Sequence, residues 1–405
     1  MKTLFFALFI VLIFNNSNGQ QLNLLIEEAL ENNPEIQVFE LKYKLAKEKI
    51  NQVNSFPNTE VAFGYFVSET ETRTGAQQFK VSAKQNLPYF GVITARENYE
   101  KSLANAVYED ITITKRKLIV SVSQSYYNLY ALKEKQEALS KNIELLKTYE
   151  ALALTYIEVG KASVVDLLRI QIKQNELEQS KQVLEQDYLY EQTVLSNLLN
   201  REKKAKFFIE AQLTISPENN FYNSANLSFH PELLKFDKLY ESVEKSELLN
   251  KKESKPMFGF GLDYIAVSER PNMSFNDNGK DIIMPTVSVS IPVFNKKYKS
   301  KSIQNNLYQK EIKAQKENRL NTLQNLLDKA IKKSNSARIN YNTQTKNLKQ
   351  SKDAEAILLK SYETGTIDFM SVLEIQELQL KFQINQIESI KNYYLQTIII
   401  KYLTK

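Results

Sequence analysis

The chain has 405 residues, 53 of them basic and 47 acidic for a formal charge of +6, with nine Gly, nine Pro, one His, no Cys and no Trp. That inventory excludes a disulfide framework, Cys-ligated zinc, a cysteine nucleophile and the paired histidines of metalloproteases, and no complete glycine-rich phosphate loop is present. Charges of both signs alternate at short intervals, the pattern of solvated helix faces rather than of a nucleic-acid surface, while 22 Tyr and 21 Phe require burial, an interface or a lipid boundary.

At the start, Lys2 precedes an apolar run from Leu4 to Phe14, followed by the small residues Ser17 and Gly19. The run has the length of a signal-peptide core and is too short to span a bilayer, so residues 1–19 are expected to be removed before Gln20. No later run is apolar for long enough to be a transmembrane helix, so an exported chain would meet a membrane through strands or an amphipathic surface.

Glycine and proline then mark where helices stop. From Gly91 to Pro217 there is one internal glycine, Gly160; from Pro292 to the C-terminus there is one, Gly365. Apolar residues recur at spacings of three and four in both stretches, through Leu118, Val122, Leu129, Leu139 and Ile143 in the first and Leu373, Leu380, Ile384 and Ile387 in the second. The spacing predicts very long amphipathic helices, each pair turning back near its glycine.

Two shorter regions alternate with period two instead. Val61, Phe63, Tyr65 and Val67 are followed, after a polar loop, by Phe79, Val81, Ala83 and Leu87. Phe258, Phe260, Leu262, Tyr264 and Ala266 are followed, after a loop from Arg270 to Lys280, by Ile283, Val287, Val289, Ile291 and Val293. Each region reads as a hairpin whose opposite face is small or polar, with strands over about 58–88 and 257–292 of a length that suits a membrane barrel.

The two halves repeat one another. Asn33-Pro-Glu-Ile corresponds to His230-Pro-Glu-Leu, Pro57 and Pro256 each precede a tyrosine by eight residues, and the runs ending at Gly91 and Asn295 correspond. So do the segments ending at Gln171 and Gln376, with glycine, leucine and glutamine in register. Each half is helix, hairpin, long helix, turn, long helix, giving a first repeat over 20–216 and a second over 217–405. His230 corresponds to Asn33 at a helix start, where a polar side chain caps backbone amides, so it is read as structural and no metal site is expected.

The duplicated order, the prolines at strand–helix junctions (Pro57, Pro88, Pro256 and Pro292) and the glycine turns resemble the TolC-like outer membrane efflux proteins of Gram-negative bacteria. The resemblance implies a mainly α fold with a β-barrel part: a homotrimer in which each protomer gives four strands to a twelve-stranded outer-membrane barrel and its long helices to a periplasmic α-barrel. It implies a passive exit duct, with no catalytic residue and no cofactor. The partners would be outer-membrane lipid, a periplasmic adaptor and an inner-membrane pump of a tripartite efflux or type I secretion system.

The family's adaptor-docking tips map onto Gly160, Lys161 and Ala162 and onto Gly365, Thr366 and Ile367. Its acidic gate pattern maps in part, onto Asp166 and Glu374, with Ser371 and Arg169 at the other two equivalent positions. Asn200 stands where the family more often has glycine. Two other classes compete. A periplasmic coiled-coil adaptor or scaffold needs one helical hairpin flanked by glycine-rich β-domains, which this chain lacks, and a secreted hydrolase fails on residue inventory.

Overall fold

The computed structural model describes residues 20–160, 163–202, 207–209, 213–215, 224–294 and 296–404; the expected signal segment, Lys161, Ala162 and Asn295 lie outside them. The elements in order are α1 (Gln20–Asn32), α2 (Pro34–Val53), β1 (Thr59–Tyr65), β2 (Glu71–Thr72), β3 (Gly75–Leu87), α3 (Val92–Glu158) and α4 (Val164–Leu198). After a 3-10 turn (Ser224–Phe229) come α5 (Pro231–Glu253), β4 (Met257–Ser268), β5 (Ile282–Ser290), α6 (Lys296–Glu363) and α7 (Met370–Thr404). They form two compact units, one of residues 20–38, 112–230 and 320–404, the other of 39–111 and 231–319.

The first unit is helical. Its apolar stripes bury Leu118, Val122, Leu129 and Leu195 in one cluster and Leu139, Ile143, Ile170, Phe369 and Leu380 in another. Tyrosine supplies much of the bulk: Tyr127 stacks on Tyr394 with ring centroids 5.0 Å apart. Helix α1 was not anticipated from the sequence, although Leu22, Leu25, Ile26 and Ala29 carry its spacing, and Leu25 and Ala29 are buried.

The second unit carries an antiparallel sheet of order β1-β3-β4-β5, with β2 paired to β3. Tyr65 opposes Phe79, Leu87 opposes Phe258 and Phe260 opposes Val287, so the apolar residues of successive strands share one face. That face is bare: Phe63 is 70% exposed and Val287 is 70% exposed. The opposite face is polar and close-packed. Lys80 lies 2.6 Å from Asp263 across β3 and β4. A Cβ at Gly259 would come within 2.4 Å of the Ser288 hydroxyl, so glycine there makes room for the polar side chains of the neighbouring strands.

The strands are shorter than the alternation suggested. β1 ends at Tyr65 and β5 at Ser290, leaving Val67, Ile291 and Val293 beyond the regular ladder. Pro292 has no amide hydrogen to extend β5. Beside the sheet, Ser242, Ser246 and Asn250 recur every four residues as a buried seam of α5. Asn250 Nδ2 donates to the Tyr298 carbonyl at 2.9 Å, which ties α5 to α6.

Candidate functional site

Two glycine turns in the helical unit share one geometry. Gly160 (φ 71°) and Gly365 (φ 72°) are left-handed, and each amide donates to the carbonyl three residues back, Ile157 at 3.0 Å and Tyr362 at 2.9 Å. Thr366 N donates to Ser361 O at 3.0 Å, which completes a Schellman close at the second turn. Among the described residues neither glycine has a neighbour within 4 Å of a would-be Cβ, so backbone conformation, not crowding, selects glycine. Asn200 ends α4 by the same device, with φ 55° and Arg201 N donating to Ser196 O at 2.8 Å. Asparagine tolerates that conformation, which accounts for its standing where glycine was expected.

A duplicated polar clamp stands just inside each turn. Glu150 is ten residues before Gly160, and Gln171 and Gln174 are eleven and fourteen after it. Their Nε2 atoms donate to the two Glu150 oxygens at 2.8 and 2.9 Å. Glu355 stands ten before Gly365, and Gln376 and Gln379 bond to its two oxygens in the same way, the Gln379 bond at 2.8 Å. The second clamp is deeper and has a third donor: Gln376 and Gln379 are buried, and Tyr149 Oη donates to Glu355 at 2.6 Å. Hydrogen bonds from Gln171 and then Gln174 hold the Glu150 carboxyl below its usual value. Burial, then the bond to Glu355, pushes the Tyr149 phenol up. The sequence offered Gln171 and Gln376 as register marks, but their carboxylate partners lie across the turn.

Asp166 and Ser371 are equivalent, six residues after the glycines. Asp166 closes a capping box: Ser163 N donates to Asp166 Oδ2 at 3.3 Å, and Val165 N donates to Ser163 Oγ at 3.1 Å. Arg169 also approaches Asp166 at 3.9 Å. Ser371 is half-buried in the first turn of α7. Glu374 is exposed in a groove of about 660 Å³ shared with Lys173, Glu377 and Lys381. Lys173 pairs with Glu377 at 2.7 Å, whereas Glu374 is in no ion pair among the described residues. Of the tip residues, Thr366 is exposed and Ile367 packs partly against the second cluster. His230 is buried, its ring edge-on to Tyr402 at 5.1 Å between centroids.

The four junction prolines fall in the sheet-bearing unit. Pro57 stands two residues before β1 and Pro256 directly before β4, while Pro88 directly follows β3 and Pro292 stands two residues after β5. After Pro88, Gly91 (φ 81°) turns the chain into α3, where Val92 N donates to Tyr89 O at 3.1 Å.

The chain has the fold of solved outer-membrane channel proteins. Residues 25–201 match the family model described as outer membrane efflux protein. The chain is similar in structure to CusC (TM-score 0.78, 15% identity, 95% of this chain and 92% of that chain covered). It is also similar to the outer membrane protein VceC of Vibrio cholerae (0.76, 15%, 95% and 96%) and to the open-state outer membrane channel MtrE of Neisseria gonorrhoeae (0.74, 15%, 95% and 88%). No curated protein sequence matches the chain.

Proposed function

We propose that the chain is the outer-membrane exit duct of a tripartite efflux or type I secretion system, acting without bond-making chemistry. One observation carries this reading: the sheet, with its four long strands β1, β3, β4 and β5, bares an apolar face, keeps a polar one, and leaves β1 and β5 as free edges. In lipid an open edge leaves backbone groups unpaired at several kcal/mol each, so copies must join edge to edge. Three copies of four strands would give twelve, with apolar residues toward lipid and Lys80, Asp263 and Ser288 toward the lumen. No helix among the described residues is long and apolar enough to cross a membrane. The bare apolar face is the reason the sheet is assigned to the outer membrane, with the helical unit assigned to the periplasm.

The tips at Gly160, Lys161, Ala162, Gly365, Thr366 and Ile367 would receive the adaptor, which links the duct to the pump. Val159, Val164, Val165 and Leu168 are large apolar side chains left exposed around the first turn, a surface suited to a helical partner.

The constriction is assigned to Glu374, with Ser371 one turn before it. Asp166, bound into its own helix end, serves there as a cap. Three Glu374 carboxylates around a threefold axis repel one another and attract cations. In planar bilayers the channel is therefore expected to prefer cations, and Glu374→Gln to lower that preference and weaken divalent-ion block while conductance persists. Unchanged selectivity would remove Glu374 from the constriction, and an inserted protein that passes no ions would contradict a duct.

A further inference from the structure

Two grooves meet below the sheet, and their chemistry is complementary to the two ends of one molecule. The first is apolar, about 580 Å³, and lined by Phe56, Leu87, Phe90, Ile93, Phe258 and Phe260. Leu87 opposes Phe258 in the β3–β4 ladder, and Phe260 follows two residues on, so all three point to the bare face and the groove continues it. Phe90 is 82% exposed there. Because β3 and β4 are the inner strands, copies joined at β1 and β5 leave this face uncovered.

The second groove, about 620 Å³, shares the wall made by Tyr89 and Gly91 and is lined by Lys245, Lys251, Lys252 and Lys255 with no acidic residue. Among the described residues Lys245, Lys252 and Lys255 are in no ion pair, while Lys251 lies 3.9 Å from Glu247. The Lys252 ammonium stands 5.9 Å over the Tyr89 ring, at the shared wall. Helix α3 begins beside it without an acidic residue in its first turn, so its free amides add positive potential.

We infer that this junction binds an anionic glycerophospholipid, its phosphate among Lys245, Lys252 and Lys255 and an acyl chain along Phe90, Phe258 and Phe260. A free phosphate would match the lysines and leave the phenylalanines bare. An uncharged hydrocarbon would fill the apolar groove and leave the lysines without a counter-charge. An anionic amphiphile satisfies both, and basic residues at a membrane surface draw anionic headgroups in this way. The chain has no cysteine to carry a covalent lipid, so such a bound lipid would anchor it without one. The inference rests on the sheet lying in a membrane.

The test is native mass spectrometry of the full chain in detergent, titrated with phosphatidylglycerol, phosphatidylcholine or inorganic phosphate. Expected is a trimer that retains phosphatidylglycerol over phosphatidylcholine and retains no inorganic phosphate. The double variant Lys252→Glu, Lys255→Glu should weaken phosphatidylglycerol retention about tenfold with the trimer intact. The equally charged control Lys346→Glu, Lys349→Glu should leave it unchanged. Equal retention of both lipids by an intact trimer, equal losses in the two double variants, or retention of inorganic phosphate alone would overturn the lipid site and spare the duct. A chain that yields no trimer would overturn the membrane reading and the lipid site with it.

Discussion

Glu150 and Glu355 hold equivalent places in the two repeats but unequal surroundings, and the difference predicts unequal consequences. Replacing Glu355 with Leu leaves Gln376, Gln379 and the Tyr149 hydroxyl short of an acceptor in a buried site, at a cost of about 1–3 kcal/mol. Glu150→Leu should cost less, because water can replace the carboxylate at its more open site. Thermal unfolding followed by helical ellipticity separates the two, and equal losses would contradict the depth assigned to the second clamp. Neither clamp was legible in the sequence, because each glutamate meets its glutamines only once the helix has turned back at the glycine. Asp166 is the opposite case: Ser163 three residues before it is a capping-box spacing readable without a structure, and it competes directly with a gate role.

At the scale of the strand, the period-two alternation showed both faces of the sheet, since Val61, Phe63, Tyr65, Phe260 and Leu262 are all exposed while Gly259 and Asp263 are buried. What the alternation could not show was where pairing stops: Val67 and Val293 keep the apolar rhythm after the ladder has ended, and apolarity alone carries no hydrogen bond. The two-residue strand β2 escaped for a related reason, because Glu71 and Thr72 have no alternation long enough to read. Phe260→Arg should destabilise the inserted barrel by about 2–4 kcal/mol, whereas Ser288→Arg, on the polar face, should cost far less. Urea unfolding in lipid vesicles measures both, and equal costs would mean that the faces are exchanged or that the sheet is not in lipid. The long helices were more legible than either: glycine and proline mark their ends, and their stripes at Leu118, Val122, Leu139 and Leu380 are buried as the spacing required.

For the whole molecule, a membrane-inserted duct requires that copies close the sheet that one chain leaves open. Within one chain β1 and β5 are separated by β3 and β4, three strand spacings or about 14 Å, beyond the roughly 7 Å that a disulfide can bridge. A bond between them must therefore join two copies, and a chain without native cysteine gives no background. Val61→Cys on β1, combined in turn with Ile283→Cys, Val287→Cys and Val289→Cys on β5 and oxidised in isolated outer membranes, samples the possible registers. At least one pair is expected to give a ladder on denaturing gels that stops at the trimer; no crosslink with any pair, or a ladder running past three, would rule out the closed trimer.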